Sequence, residues 1–247
     1  MPHTCKFRYR EGPVKIVSPV AAALLAFGVF SAVQAQQKYI SRYDIYTGFA
    51  DIDSPALGLN EKGFHAQAGL NYRPWLSIGA DYSVATGSEL LTTELLPTAL
   101  QAQINAAQAQ FIRAGLLPSN YRLEVPTDAT THTFAFGPQL VCRHFSRGTL
   151  FVRPSLGALR ERAVPHAADA FQKVIVAGLA PAGYKLDWTG FYGVGGGGEV
   201  SLSRHVGLRA QMDFVYNHPF DDILANGRWT FRYSVGPSFH FGANIAR

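Results

Sequence analysis

The sequence is short of cysteine, of charge and of long apolar runs, and each shortage narrows the reading. Two cysteines among 247 residues cannot staple a disulfide framework. Charged residues reach only 16% while aromatics reach 13%, which argues against a disordered chain. Past residue 35 no segment approaches the roughly 20 consecutive apolar residues of a spanning helix. Mean hydropathy is only +0.02. Both facts argue against a multi-span helical membrane protein.

Residues 1–35 read as a secretory signal peptide. Lys6, Arg8, Arg10 and Lys15 form a basic start, and 16–30 is apolar around Ala21, Ala22, Ala23, Leu24 and Leu25. Val33-Gln34-Ala35 places small residues at the −3 and −1 positions of a cleavage site. The apolar run, about 15 residues, is short for an anchor. With Glu11, this segment carries +3 of the formal +5 charge, leaving about +2 for the remainder. The basic balance therefore belongs largely to the signal, and no nucleic-acid partner is expected. Cys5 leaves with it, so Cys142 stands alone and no intrachain disulfide is expected.

The remainder alternates with period two, as a strand with two unlike faces must. Phe64, Ala66, Ala68, Leu70 and Tyr72 oppose His65, Gln67, Gly69 and Asn71. Trp229, Phe231, Tyr233, Val235, Phe239 and Phe241 oppose Arg228, Thr230, Arg232, Ser234, Gly236, Ser238 and His240. Eight such segments follow one another: 40–50, 63–73, 75–85, 131–141, 149–159, 188–202, 206–217 and 228–241. Short turns at 73–74, 142–148 and 203–205 alternate with longer connections at 51–62, 86–130, 160–187 and 218–227. An even number of strands, each long enough to cross a bilayer on a tilt, with short turns at one end and long loops at the other, predicts an all-β fold: an eight-stranded antiparallel up-and-down transmembrane β-barrel. The expected domains are the signal peptide, 1–35, and one barrel domain, 36–247.

Alternation alone does not say which face is inside, since a lipocalin-like barrel has an apolar interior and a membrane barrel the reverse. One face carries almost no charge, and aromatics gather near its segment ends. Tyr72, Trp75, Tyr82, Trp188, Tyr216, Trp229 and Phe241 form the expected interfacial girdle. The other face carries Arg42, Arg153, Arg209 and Arg232 with Asp44, Asp81, Glu199 and Asp213. Four charges of each sign on an inward face predict a salt-bridged, plugged lumen rather than an open pore.

The signal peptide, the eight alternating segments and the aromatic last strand resemble the small eight-stranded outer-membrane barrels of the OmpA/OmpX type, over about 36–241. The resemblance implies location in the outer membrane of a Gram-negative-type cell after cleavage. It also implies contact with outer-membrane lipid, and a final strand read by the barrel-assembly machinery. Tyr233, Phe239 and Phe241 match that aromatic pattern, although Gly242–Arg247 follow it. Such proteins mostly serve structure, adhesion or defence at the surface, and a minority are enzymes.

A distinct function would sit in the long loops. Leu100, Ile104, Ala107 and Phe111 fall at helical spacing in the second loop, with Thr98 a candidate cap and Gly115 a candidate stop. The third loop holds Phe171, Val174, Ile175 and Val176, which suit either a short helix or strand extensions. Catalytic motifs are weak. The run Gly193 to Gly198 lacks the Lys-Ser/Thr of a phosphate loop. His144-Phe145-Ser146 resembles the His-x-Ser of lipid A deacylase barrels but falls in a short turn. Asp221 and Asp222 have only His218 nearby. No catalytic, cofactor or metal residues are expected. The expected function is non-enzymatic: surface structure, or interaction with an unknown surface partner through the loops. A narrow channel and a lipid-modifying enzyme are the rivals.

Overall fold

The computed structural model describes residues 37 and 39–246, so the expected signal peptide, 1–35, lies outside the described residues. Eight antiparallel strands form one closed sheet: β1 (Ser41–Ser54), β2 (Leu59–Arg73), β3 (Leu76–Thr92), β4 (Glu124–Cys142), β5 (Gly148–Pro165), β6 (Lys185–Ser201), β7 (Val206–Asn217) and β8 (Arg228–Asn244). Each pairs with its sequence neighbours, and β8 closes on β1 through pairs such as Phe49 with Val235. Closure leaves every strand with two hydrogen-bonded partners, which is what allows a sheet to stand in hydrocarbon.

The polarity is inside out relative to a soluble barrel. Gln67, Arg153, Asp213, Arg232 and Ser238 are buried in the lumen, whereas Phe49, Phe64, Phe136, Val194 and Met212 are exposed. The outward apolar band covers 43–49, 64–72, 76–84, 134–140, 150–158, 188–200, 208–216 and 229–241 in strand order. These are the membrane-spanning segments. Tyr72, Trp75 and Phe241 edge the band at the short-turn end, and Tyr82, Trp188, Tyr216 and Trp229 edge it at the loop end. At the loop end Trp229 stacks on Phe214 at 4.3 Å and meets Tyr216 edge-on.

The strands run further toward the loops than the alternation predicted. The first connection shrinks to the turn 55–58, closed by Gly58 at φ 64°. Above the band the outward residues become polar: Asp51, Asp53, Lys62, Thr86, Thr130, Arg160 and Arg162. Ladder hydrogen bonds do not depend on what the outer side chain faces, so pairing continues after the apolar signal stops.

The second and third loops build a cap. Helix α1 (Thr98–Arg113) and helix α2 (Ala170–Leu179) enclose a small core of Leu96, Ile104, Leu123, Val125 and Phe171. Phe171 meets Phe111 at 5.1 Å and Tyr121 at 5.8 Å. Tyr121 donates to Asp169 Oδ2 at 2.7 Å, and burial, with that carboxylate, pushes its hydroxyl up to about 12. Loop four joins through Ala225 N donating to Leu95 O at 3.0 Å. Thr98 does not cap α1: Pro97 occupies that position, and the helix begins at Thr98. A proline's fixed φ suits the approach to a helix, where a free N–H is not needed. Gly115, at φ 70°, follows the helix end. The third loop resolves both ways, with α2 and with extended β5 and β6.

Candidate functional site

The lumen is filled by charged layers set by strand register. In the middle layer Arg153, Gly195, Asp213 and Arg232 are successive partners across β5, β6, β7 and β8. Arg153 reaches over Gly195 to Asp213, donating from Nη2 to Oδ2 at 2.9 Å and from Nε to Oδ1 at 3.2 Å. Its Nη1 donates to Asp81 Oδ2 at 2.5 Å. Arg232 adds a contact to Asp213 at 3.3 Å, and His65 lies 3.5 Å from Asp81. A void of about 10 Å³ beside His65, Asp213 and Arg232 is room for about one water.

The layer toward the short turns centres on Arg209. It donates to Glu199 Oε2 at 2.8 Å, to Asp44 Oδ1 at 3.0 Å and to Gln67 Oε1 at 3.0 Å. His240 lies 2.7 Å from the other Glu199 oxygen. Below it the lumen widens into an open polar cavity of about 830 Å³, lined by Arg143, Ser146, Arg147 and Gln139 among others.

A third layer lies at the loop end, above the membrane band. Glu161 pairs with Arg228, which also donates to Asn217 Oδ1 at 3.1 Å. Glu61 is fully buried, and neither of its carboxylate oxygens has a hydrogen-bond partner among the described residues. Burial, then the Glu161 carboxylate, pushes Glu61 up to about 8 and Glu89 up to about 7. Three carboxyl groups around one guanidinium cannot all stay ionised in so dry a site.

Seven of the eight charges expected in the lumen are therefore buried there and in contact. Arg42 is the exception. It is exposed, because the β1–β8 register shifts between Ser41 and Tyr43 and turns this side chain away from the lumen. Glu61, Glu161 and Arg228 escaped the sequence reading as network members. The first two lie beyond the predicted strand ends. The polar continuation of the alternation, Glu61 opposite Lys62 and Glu161 opposite Arg160 and Arg162, was the available signal.

The weaker motifs take structural places. Ser146 faces the turn-end cavity, and the His144 ring packs edge-on to Phe145. His218 Nε2 lies 3.4 Å from Leu224 O, and Asp222 pairs with Lys185. Among the described residues no group of three His, Cys, Asp or Glu side chains is placed to hold a metal ion.

Closure of eight strands, the asymmetry of turns and loops, and the polar lumen within an apolar wall define the fold of the small outer-membrane barrels. No family model matches the chain, and no curated protein matches it in sequence. Solved structures are similar to it in fold. Neisserial surface protein A aligns over 81% of this chain and 96% of its own, at 13% identity and a TM-score of 0.49. OprG from Pseudomonas aeruginosa aligns over 84% and 99%, at 9% and 0.49. Ail, the attachment invasion locus protein of Yersinia pestis, aligns over 81% and 97%, at 11% and 0.47.

Proposed function

We propose that the chain is a non-enzymatic outer-membrane barrel whose lumen is closed and whose capped loops form a surface for interaction outside the cell. The observation that carries this reading is the layered ion-pair plug. Arg153, Asp81, Asp213 and Arg232 span the lumen at mid-height, and the α1–α2 cap stands over the loop end. Charges so placed tie facing strands together and fill the lumen at mid-height, which supports a closed barrel. The loops then remain as the part free to vary in what they contact. Outer-membrane lipid and the barrel-assembly machinery are the partners this reading requires.

Two measurements test it together. The purified chain lacking 1–35, refolded in detergent, is expected to migrate differently on a gel before and after boiling, because a closed barrel resists detergent. In planar bilayers it is expected to give no large, stable conductance. A heat shift with steady conductance would replace the closed barrel by the channel reading. Absence of a shift, with a soluble monomer, would turn the barrel into a soluble carrier.

A further inference from the structure

The outer wall carries a cationic patch that neither the lumen nor the cap uses. Arg160 on β5 is the register partner of His132 on β4 and of Trp188 on β6. Arg162, two residues nearer the loops, is the partner of Thr130 and Leu186. Both arginines flank the buried Glu161, so both point outward. Neither guanidinium enters an ion pair among the described residues. Asp128, further up the same ladder, is held by His166 at 2.8 Å, and Glu161 turns inward to Arg228. The Arg162 guanidinium lies 4.7 Å over the ring of Tyr184.

Beside Arg160 and below Arg162 lies an aromatic platform. Phe134 and Trp188 stack at 6.0 Å with planes 18° apart, although β5 runs between their strands. They meet because the β5 residue there is Ala158, partnered by Phe134 and Gly190, and is too small to part them. Tyr82 extends the platform, 5.1 Å from Phe134, and its hydroxyl lies 2.9 Å from His132 Nδ1. The platform is the upper edge of the apolar band, with Arg160 level with that edge and Arg162 just above it. That is the height at which acyl chains give way to headgroups. Across the barrel, on β1 and β2, the same height carries Asp51, Asp53 and Lys62, with Asn60 donating to Asp51 at 2.8 Å. An anion is therefore drawn to the β4–β6 face and not to its opposite.

We propose that this face docks a phosphorylated glycolipid of the outer leaflet, with its phosphate held by Arg160 and Arg162 and its acyl chains lying on Phe134 and Trp188. The inference rests on the outer-membrane reading. Two planar guanidinium forks can grip a phosphate by paired hydrogen bonds, and a desolvated interface strengthens them.

The test uses the folded barrel in neutral detergent, with diphosphoryl lipid A, dephosphorylated lipid A and phosphatidylglycerol titrated and counted by native mass spectrometry. The wild type is expected to prefer diphosphoryl lipid A over both others. Arg160→Gln with Arg162→Gln should weaken that binding by roughly tenfold to a hundredfold. Arg160→Lys with Arg162→Lys should fall between, because charge survives and the fork does not. Lys62→Gln should bind as the wild type. The proposal is overturned if the glutamine pair binds as well as the wild type, or if phosphate removal or phosphatidylglycerol makes no difference. A heat shift on the gel is required of every variant. A wild type that lacks it sinks the barrel reading, whereas heat-shifting proteins that bind indifferently sink only the lipid site.

Discussion

A β-carbon on Gly195 would stand 1.7 Å from Asp213 Oδ1. The glycine is therefore the gap through which Arg153 reaches Asp213, and the run of glycines on β6 has a packing reason here rather than a phosphate-binding one. Gly195→Ala must turn Asp213 away from Arg153, which keeps Asp81, and from Arg232, which pairs with no other carboxylate among the described residues. Breaking a buried pair in this way costs about 3–5 kcal/mol. Gly190→Ala is the matched comparison, since its β-carbon would meet nothing nearer than Gly157 O at 3.9 Å; its effect should stay under about 1 kcal/mol. Urea midpoints of the two variants in lipid vesicles decide the matter, and equal midpoints would show that Gly195 is not needed for the pair.

At the scale of elements, the barrel and its cap are held by different forces. The strands are fixed by a closed ladder, the cap by a core in which Phe171 is fully buried against Phe111 and Tyr121. Phe171→Ala removes the centre of that core, at a cost of about 3–5 kcal/mol. That is enough to open the cap without unpairing a strand. Protease is then expected to cut within 93–123, while the trimmed barrel still shifts on heating. Loss of the heat shift together with cleavage would mean that the cap and barrel fold as one unit. The same division explains what could be read in advance. Period-two alternation marked the eight strands wherever one face met lipid. The strand extensions could not be read, because both faces are polar at Lys62 and Arg162 and the pattern loses contrast. The Arg42 side was lost to a register shift, which no spacing announces.

Over the whole molecule, the legible part of the site was its sign balance and the illegible part its ends. Arg153, Asp213, Arg209 and Glu199 lie within alternating runs, so their common face follows from parity. The Glu61–Glu89–Glu161–Arg228 layer is assembled from residues 61, 89, 161 and 228, and only barrel closure brings them together. That layer gives the fold a dependence on pH. Glu61 and Glu89 sit near 8 and 7, against an ordinary value of 4.5. Between 4.5 and those values the folded barrel keeps protons that the unfolded chain has released. Stability must therefore fall as pH rises through this window, by up to about 1.4 kcal/mol per pH unit for each group, and level off above it. Glu61→Gln keeps the shape and cannot ionise, so it should match the wild type near pH 4.5, exceed it at pH 8.5, and show a shallower decline between. Unfolding midpoints in urea across that range measure this directly. A wild type that grows more stable from pH 5 to pH 8, or a glutamine variant that declines just as steeply, would mean that Glu61 is ionised in the folded barrel and that Arg228 serves all three carboxylates.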